Sequence, residues 1–260
     1  MKMEIRDLSF NYGSNVILSD ISLLLDKSEL VCIMGPNGVG KSTLMYCMNR
    51  LLNTTSGHVL IDGVDVKDMP RMELAKHVGF VPHASYETFS TSVIDAVLMG
   101  RVPHMSMGGS FTEEDVRIAG NALIRMNAES LSLRPFDELS AGQHQKVMVA
   151  RGLAQETDIL LLDEPTANLD LKHQMRVMRT LRDLTRERDM MMVTICHDVN
   201  IICRYADRAI MMFEGRIHCV GHPADIVTPE NIKKVYGVDS KIIEVEGRPF
   251  VIPLSDDDEL

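Results

Sequence analysis

The stretch Gly35-Pro36-Asn37-Gly38-Val39-Gly40-Lys41-Ser42-Thr43 lies between an apolar run, Leu30 to Met34, and a run of helical period, Leu44 to Leu52. A chain that leaves a strand through such a loop and enters a helix at once has few folds open to it. The glycines let the backbone curl until successive N–H groups face one point, and the helix starting near Lys41 adds its positive dipole end. The spacing fits G-x-x-x-x-G-K-[ST], and its placement after a buried-type strand and before an amphipathic helix marks a nucleotide phosphate site. Lys41 then reaches the β- and γ-phosphates, and Ser42 is placed to bind Mg²⁺.

With 260 residues, 45% of them hydrophobic, the chain can bury the core of one large domain, or of one domain with a subsidiary lobe. Its five cysteines, Cys32, Cys47, Cys196, Cys203 and Cys219, are odd in number, show no CxxC spacing and mostly fall within apolar runs. They are expected to be reduced core residues. No apolar run approaches the roughly 20 residues of a membrane helix, and Met1-Lys2-Met3-Glu4-Ile5 lacks a signal-peptide core, so any membrane role is expected to be peripheral. A net charge of −10 argues against nucleic acid as a partner. The tail Asp256-Asp257-Asp258-Glu259 reads as a solvated end, and the 19 methionines, as in Met190-Met191-Met192-Val193, as core filler.

Residues 3 to 34 alternate short strand-like runs with turns at 11–14 and 25–28, and further strands are predicted at 58–63 and 78–82. From Ser92 to Gln155 apolar positions recur at helical spacing, as in Val116, Ala119, Ala122, Leu123 and Met126, which predicts an inserted helical lobe. Three continuous apolar runs follow, Ile159 to Leu162, Met190 to Cys196 and Ala209 to Phe213, the first two separated by a helical stretch from Leu171 to Arg186. Strand, helix, strand implies a parallel sheet buried on both faces.

Ile159-Leu160-Leu161-Leu162-Asp163-Glu164-Pro165 sets two carboxylates at the carboxyl end of a central strand, the edge where ligands bind in such sheets. Asp163 is suited to hold Mg²⁺ through water, and Glu164 to polarise the water that attacks the γ-phosphate. His197 leaves the strand ending in Cys196 at the same edge, either as a donor to phosphate oxygens or as a histidine bonded to a nearby loop. Ser140 and Gln143 fit a capping box opening a helix that runs through Leu153, and with Gly142 they also fit a second anion site.

Taken together, these motifs resemble the ATP-binding-cassette (ABC) ATPase family over almost the whole chain. GPNGVGKST is similar to that family's Walker A loop, ILLLDEP to its Walker B strand, LSAGQ to its signature, Ala167-Asn168-Leu169-Asp170 to its D-loop and His197 to its switch histidine. The resemblance implies a P-loop NTPase (RecA-like) α/β core with a mostly parallel sheet, an N-terminal antiparallel β layer and an inserted helical subdomain. Its implied boundaries are 1–91 and 156–222 for the core, 92–155 for the signature subdomain and 223–260 for a C-terminal extension. It implies ATP held by Tyr12 on adenine and by Gly35, Asn37, Gly38, Gly40, Lys41, Ser42 and Thr43, and Mg²⁺ held by Ser42 and Asp163. Ser140, Gly142 and Gln143 would serve the partner subunit's site in a homodimer, with Glu164, His197 and His83 as catalytic candidates.

The segment 93–104 and the ending from Pro223 to Pro253 resemble the ATPases of metal-chelate importers, which handle ferric siderophores, haem or cobalamin. That resemblance implies a peripheral protein on the cytoplasmic face of the membrane, docked on permease subunits and served indirectly by an extracytoplasmic substrate-binding protein. Arg101, Met99 and Tyr86 then fall near the permease contact, or else are ordinary surface and core positions. A soluble, non-transport ATPase of the iron–sulfur scaffold type is the alternative. One position departs from the family, which usually has glutamine where this chain has His83; the first glutamine in the sequence is Gln143. An imidazole nitrogen suits transition metals better than Mg²⁺, so His83 is expected to act through a water or to relay contact to the permease.

Overall fold

The computed structural model of the chain describes residues 1–83, 91–106 and 108–254. Strands β1 (Lys2–Tyr12), β2 (Asn15–Asp26) and β3 (Leu30–Met34) lead through the glycine loop into α1 (Lys41–Met48). Next come β4 (Ser56–Ile61), β5 (Val64–Asp65), α2 (Arg71–His77) and β6 (Val78–Val81). Between β6 and the following strand the described residues form α3 (Val93–Leu98), a 3-10 segment Met99–His104, α4 (Glu113–Arg125) and α5 (Ala141–Ala154), with two further short 3-10 turns. The chain returns through β7 (Ile159–Asp163), α6 (Leu171–Glu187), β8 (Met191–Ile195), α7 (Val199–Tyr205), β9 (Arg208–Phe213) and β10 (Arg216–Gly221). It closes with α8 (Pro223–Ile226), α9 (Pro229–Tyr236) and the hairpin β11 (Ser240–Val245) and β12 (Arg248–Pro253).

Six strands form one sheet in the order β10-β9-β3-β8-β7-β6, parallel except for β10 at the edge. A second, antiparallel sheet has the order β2-β1-β4-β5. Every residue of β3, β7 and β8 is buried, because both faces of the large sheet are covered. Alternation along the strands divides their side chains between two cores. Leu30, Cys32, Met34, Leu160 and Leu162 join the helices on one side, while Val31, Ile33, Ile159 and Leu161 meet α1 and the antiparallel sheet on the other. At about 1.5–3 kcal/mol for each large apolar side chain removed from water, this double burial fixes the strands that carry the site. Asp207 pins the start of β3, accepting from the Leu30 N–H at 3.0 Å and from Arg186 at 3.1 Å.

Four of the five cysteines are buried and Cys219 is half-buried, and all five thiols are free. Val116, placed by periodicity on the inner face of its helix, is instead exposed, while Ala119, Ala122, Leu123 and Met126 are buried as the pattern predicts.

Candidate functional site at the strand ends

Because β3, β6, β7 and β8 run parallel, everything that follows them emerges at one edge of the sheet. After β3 the chain turns at Gly35, whose φ of 146° and close approach admit only glycine: a Cβ there would stand 2.4 Å from the carbonyl oxygen of Met212 on β9. Asn37 and Gly38 form the exposed tip of the loop, and Ser42 and Thr43 lie half-buried in the first turn of α1. That helix starts from Gly40 with no side-chain cap and no acidic residue in its first turn. Its leading N–H groups are therefore left for a ligand, and an anion is what a helix start favours. Lys41 is buried, with Nζ donating to the carbonyls of Gly35 at 2.8 Å and Pro36 at 2.9 Å. Burial pulls its pKa down, opposed by the charges of Glu164 and Asp163.

Asp163, the last residue of β7, is 2% exposed and accepts a hydrogen bond from the Ser42 hydroxyl at 3.2 Å. Burial raises its carboxyl above the usual aspartate value; the Ser42 bond lowers it, Glu164 raises it, and His83 and Lys41 lower it. Two hard oxygen ligands at one spot, one of them a buried carboxylate short of positive charge, match the preference of Mg²⁺.

Glu164 takes the left-handed conformation, φ 51°, a state that costs an ordinary residue roughly 1–2 kcal/mol. Its carbonyl accepts from the Ala167 N–H at 3.1 Å, closing the turn that holds it there. The side chain ends between two histidines. Oε1 is 2.5 Å from Nε2 of His197, just past β8, and Oε2 is 3.1 Å from Nδ1 of His83, just past β6. A carboxylate so placed can accept a proton from a water beside it.

The segment from Ser140 to Gln143 lies elsewhere. Ser140 caps α5, accepting from the Gln143 N–H at 3.4 Å, while Gln143 Oε1 accepts from the Ser140 N–H at 3.1 Å, so the capping box is formed. Its neighbours are residues 168–173: one cavity is lined by Ser140, Gly142, Gln143, Lys146, Asn168 and Asp170, among others. A Cβ on Gly142 would meet Leu169 Cδ2 at 3.1 Å, so the glycine serves that close approach within the chain.

Tyr12, at the end of β1, is 53% exposed and packs against Phe10 in a T-shaped pair, with ring centroids 4.8 Å apart. Met99 is exposed, whereas Arg101 is buried and bound to Asp115, Ala154 and Glu156. Arg101 is thus a core residue of the helical region rather than a surface contact. Tyr86 lies outside the described residues. Residue spacing did not single out Gln145, buried on α5, with Nε2 3.5 Å from the Glu164 carbonyl. A polar side chain four residues before Val149, on the buried stripe of that helix, was the available signal.

A family model described as ABC transporter matches residues 18–167. An uncharacterized ABC transporter ATP-binding protein of Methanocaldococcus jannaschii is 42% identical over 254 residues, covering 98% of both chains. The ferric enterobactin transport ATP-binding protein of Escherichia coli is 35% identical, covering 95% of this chain and 92% of its own length. The cobalamin import ATP-binding protein of Halobacterium salinarum is also 35% identical, over 91% of this chain and 59% of its own. Among solved structures, an inward-facing ABC transporter described as of metal-chelate type superposes with a TM-score of 0.84 at 28% identity, covering 98% of each chain. A dimeric ABC transporter cassette superposes at 0.77, also at 28% identity, covering 85% of this chain and 98% of its own. The chain belongs to the ABC transporter family, as an ATPase subunit whose hydrolysis of ATP is coupled to transport.

Proposed function

We propose that this ATPase energises import of a metal chelate, a ferric siderophore, haem or cobalamin, through a membrane permease. The observation that carries the reading is likeness over nearly the full length to siderophore- and cobalamin-import subunits and to a transporter described as of metal-chelate type. In this reading the loop from Gly35 to Thr43 cradles the phosphates of ATP, with Asn37, Gly38 and Gly40 shaping it and Tyr12 stacking on the base. Lys41 gives up its loop carbonyls for the β- and γ-phosphates. Ser42 and Asp163 hold Mg²⁺, which when bound neutralises charge on the phosphates. Glu164 takes a proton from the attacking water, and His197 keeps its carboxylate aimed.

Ser140, Gly142 and Gln143 are assigned to the γ-phosphate held by a second copy, with residues 92–155 as the signature-bearing subdomain and 223–260 as an extension. A groove lined by Pro82, Met99, Val102, Pro103 and Met148 is read as the face that meets the permease. Among the described residues no helix is long and apolar enough to cross a membrane, which fits a peripheral subunit on the cytoplasmic face served indirectly by an extracytoplasmic binding protein. With its acidic balance the chain is assigned no nucleic-acid partner.

The test is Mg²⁺-dependent ATP hydrolysis by the chain alone and beside the permease encoded nearest to it. Stimulation by the permease, increased again by a chelate-loaded binding protein, is the expected result and names the cargo. Turnover indifferent to any permease would overturn import and favour a soluble ATPase.

A further inference from the structure

We infer that His83 is a positioning residue for Glu164, holding one carboxylate oxygen while His197 holds the other. This deepens the reading of Glu164 as the base and rests on it. The strand order β8-β7-β6 puts the residue after β7 between those after β8 and β6, so the two imidazoles reach Glu164 from opposite sides. His197 Nε2 stands 2.5 Å from Oε1, and His83 Nδ1 stands 3.1 Å from Oε2. An ionised carboxylate only accepts, so the His197 Nε2 that bonds Oε1 turns a proton toward it, while His83 stands at ion-pair distance from Oε2 and attracts it when Nδ1 carries a proton.

The terminal torsion of a glutamate is soft, and one contact leaves the carboxylate free to swing about it. Two contacts on different oxygens fix its plane, and a proton acceptor displaced by 1 Å can lose about 10²-fold in rate. The His83 side chain is 46% exposed, and it acts on Asp163 through space, as a charge that lowers the carboxyl's pKa.

The proposal makes a choice between two near-isosteres. The amide nitrogen of asparagine falls where histidine has Nδ1, whereas that of glutamine falls where it has Nε2. The experiment is steady-state ATP hydrolysis by the full chain, alone and with its permease, for H83A, H83Q, H83N, E164Q and E164Q/H83A. H83A and H83Q are expected to lose about 5- to 20-fold in kcat with KM for ATP within about twofold of wild type, and H83N to recover to within about threefold. In E164Q, adding H83A should cost nothing further, because the group that His83 orients is gone. Wild-type kcat in H83A, recovery by glutamine rather than asparagine, or a further loss in the double variant each overturns the inference. Wild-type turnover in E164Q would instead overturn Glu164 as the base, and a dead E164Q beside an unimpaired H83A would sink the role of His83 alone.

Discussion

Asp163 sits in the fold with its charge poorly solvated. Burial is the main reason its carboxyl is raised above the ordinary aspartate value. A carboxyl raised in the folded state binds protons more readily there than in the unfolded chain, so its contribution to stability falls as pH rises past the ordinary aspartate value and is unfavourable at neutrality. Asp163→Asn keeps an oxygen that can accept from Ser42 and removes the charge. Hydrolysis is expected to drop at least about 10²-fold, while the nucleotide-free protein melts about 2–4 °C higher, as an increment of about 1 kcal/mol would produce in a chain of this size. A calorimetric scan of both proteins checks it; a lower melting point would show that the carboxylate stabilises the apo fold. Asp163, Ser42 and Lys41 were legible in the sequence because each is locked by local spacing to the end of a strand or the start of a helix. The clasp of Glu164 by His83 and His197 was not. Those residues follow three different strands, and nothing in the local pattern states which strand lies beside which.

Among the elements, the 3-10 segment Met99–His104 and helices α4 and α5 are joined by one buried cation. Arg101 donates from Nε to Asp115 at 2.9 Å, and from an Nη to the Ala154 carbonyl at 2.9 Å and to Glu156 at 3.0 Å. Asp115 in turn accepts from the N–H and hydroxyl of Thr112 in the capping box of α4. Removing the guanidinium strands a buried carboxylate and a carbonyl, so Arg101→Ala is expected to destabilise by about 3 kcal/mol, checked by denaturant unfolding. A change under about 1 kcal/mol would mean the junction opens to water. The bonds from the Thr112 N–H and hydroxyl, then that from Arg101, hold the Asp115 carboxyl at about 2, below its ordinary 3.8. Its folded value being depressed, its contribution is present above pH 4 and is lost as pH falls toward 2. The runs that became β3, β7, β8 and β9 were legible because a strand buried on both faces is apolar throughout. The C-terminal hairpin was not: Ile243, Phe250 and Ile252 point outward and only Val251 is buried, so β11 and β12 lack the contrast that marks a half-buried strand.

For the whole molecule, Ser140 and the phosphate loop have different neighbours within one chain. Ser42 meets Asp163 at the end of β7, and Glu164 beside it gathers His83 and His197 from beyond β6 and β8, whereas the start of α5 gathers residues 168–173. If Ser140 and the Gly142 N–H face a phosphate, it is one held by another copy, and ATP becomes part of the interface between two chains. Glu164→Gln should then accumulate as an ATP-bound dimer, since losing a general base slows turnover about 10²–10⁴-fold and leaves binding intact. Adding Ser140→Asp to that variant separates the two tasks of the serine. Aspartate caps a helix as well as serine does, so α5 should stay folded and the melting point within about 2 °C. Its charge, however, would oppose a phosphate at the same spot. Light scattering with ATP is expected to give twice the monomer mass for Glu164→Gln and the monomer mass for the double variant. A double variant that dimerises as well as its parent would leave Ser140 as a helix cap and nothing more, and the two chains would have to meet through other surfaces.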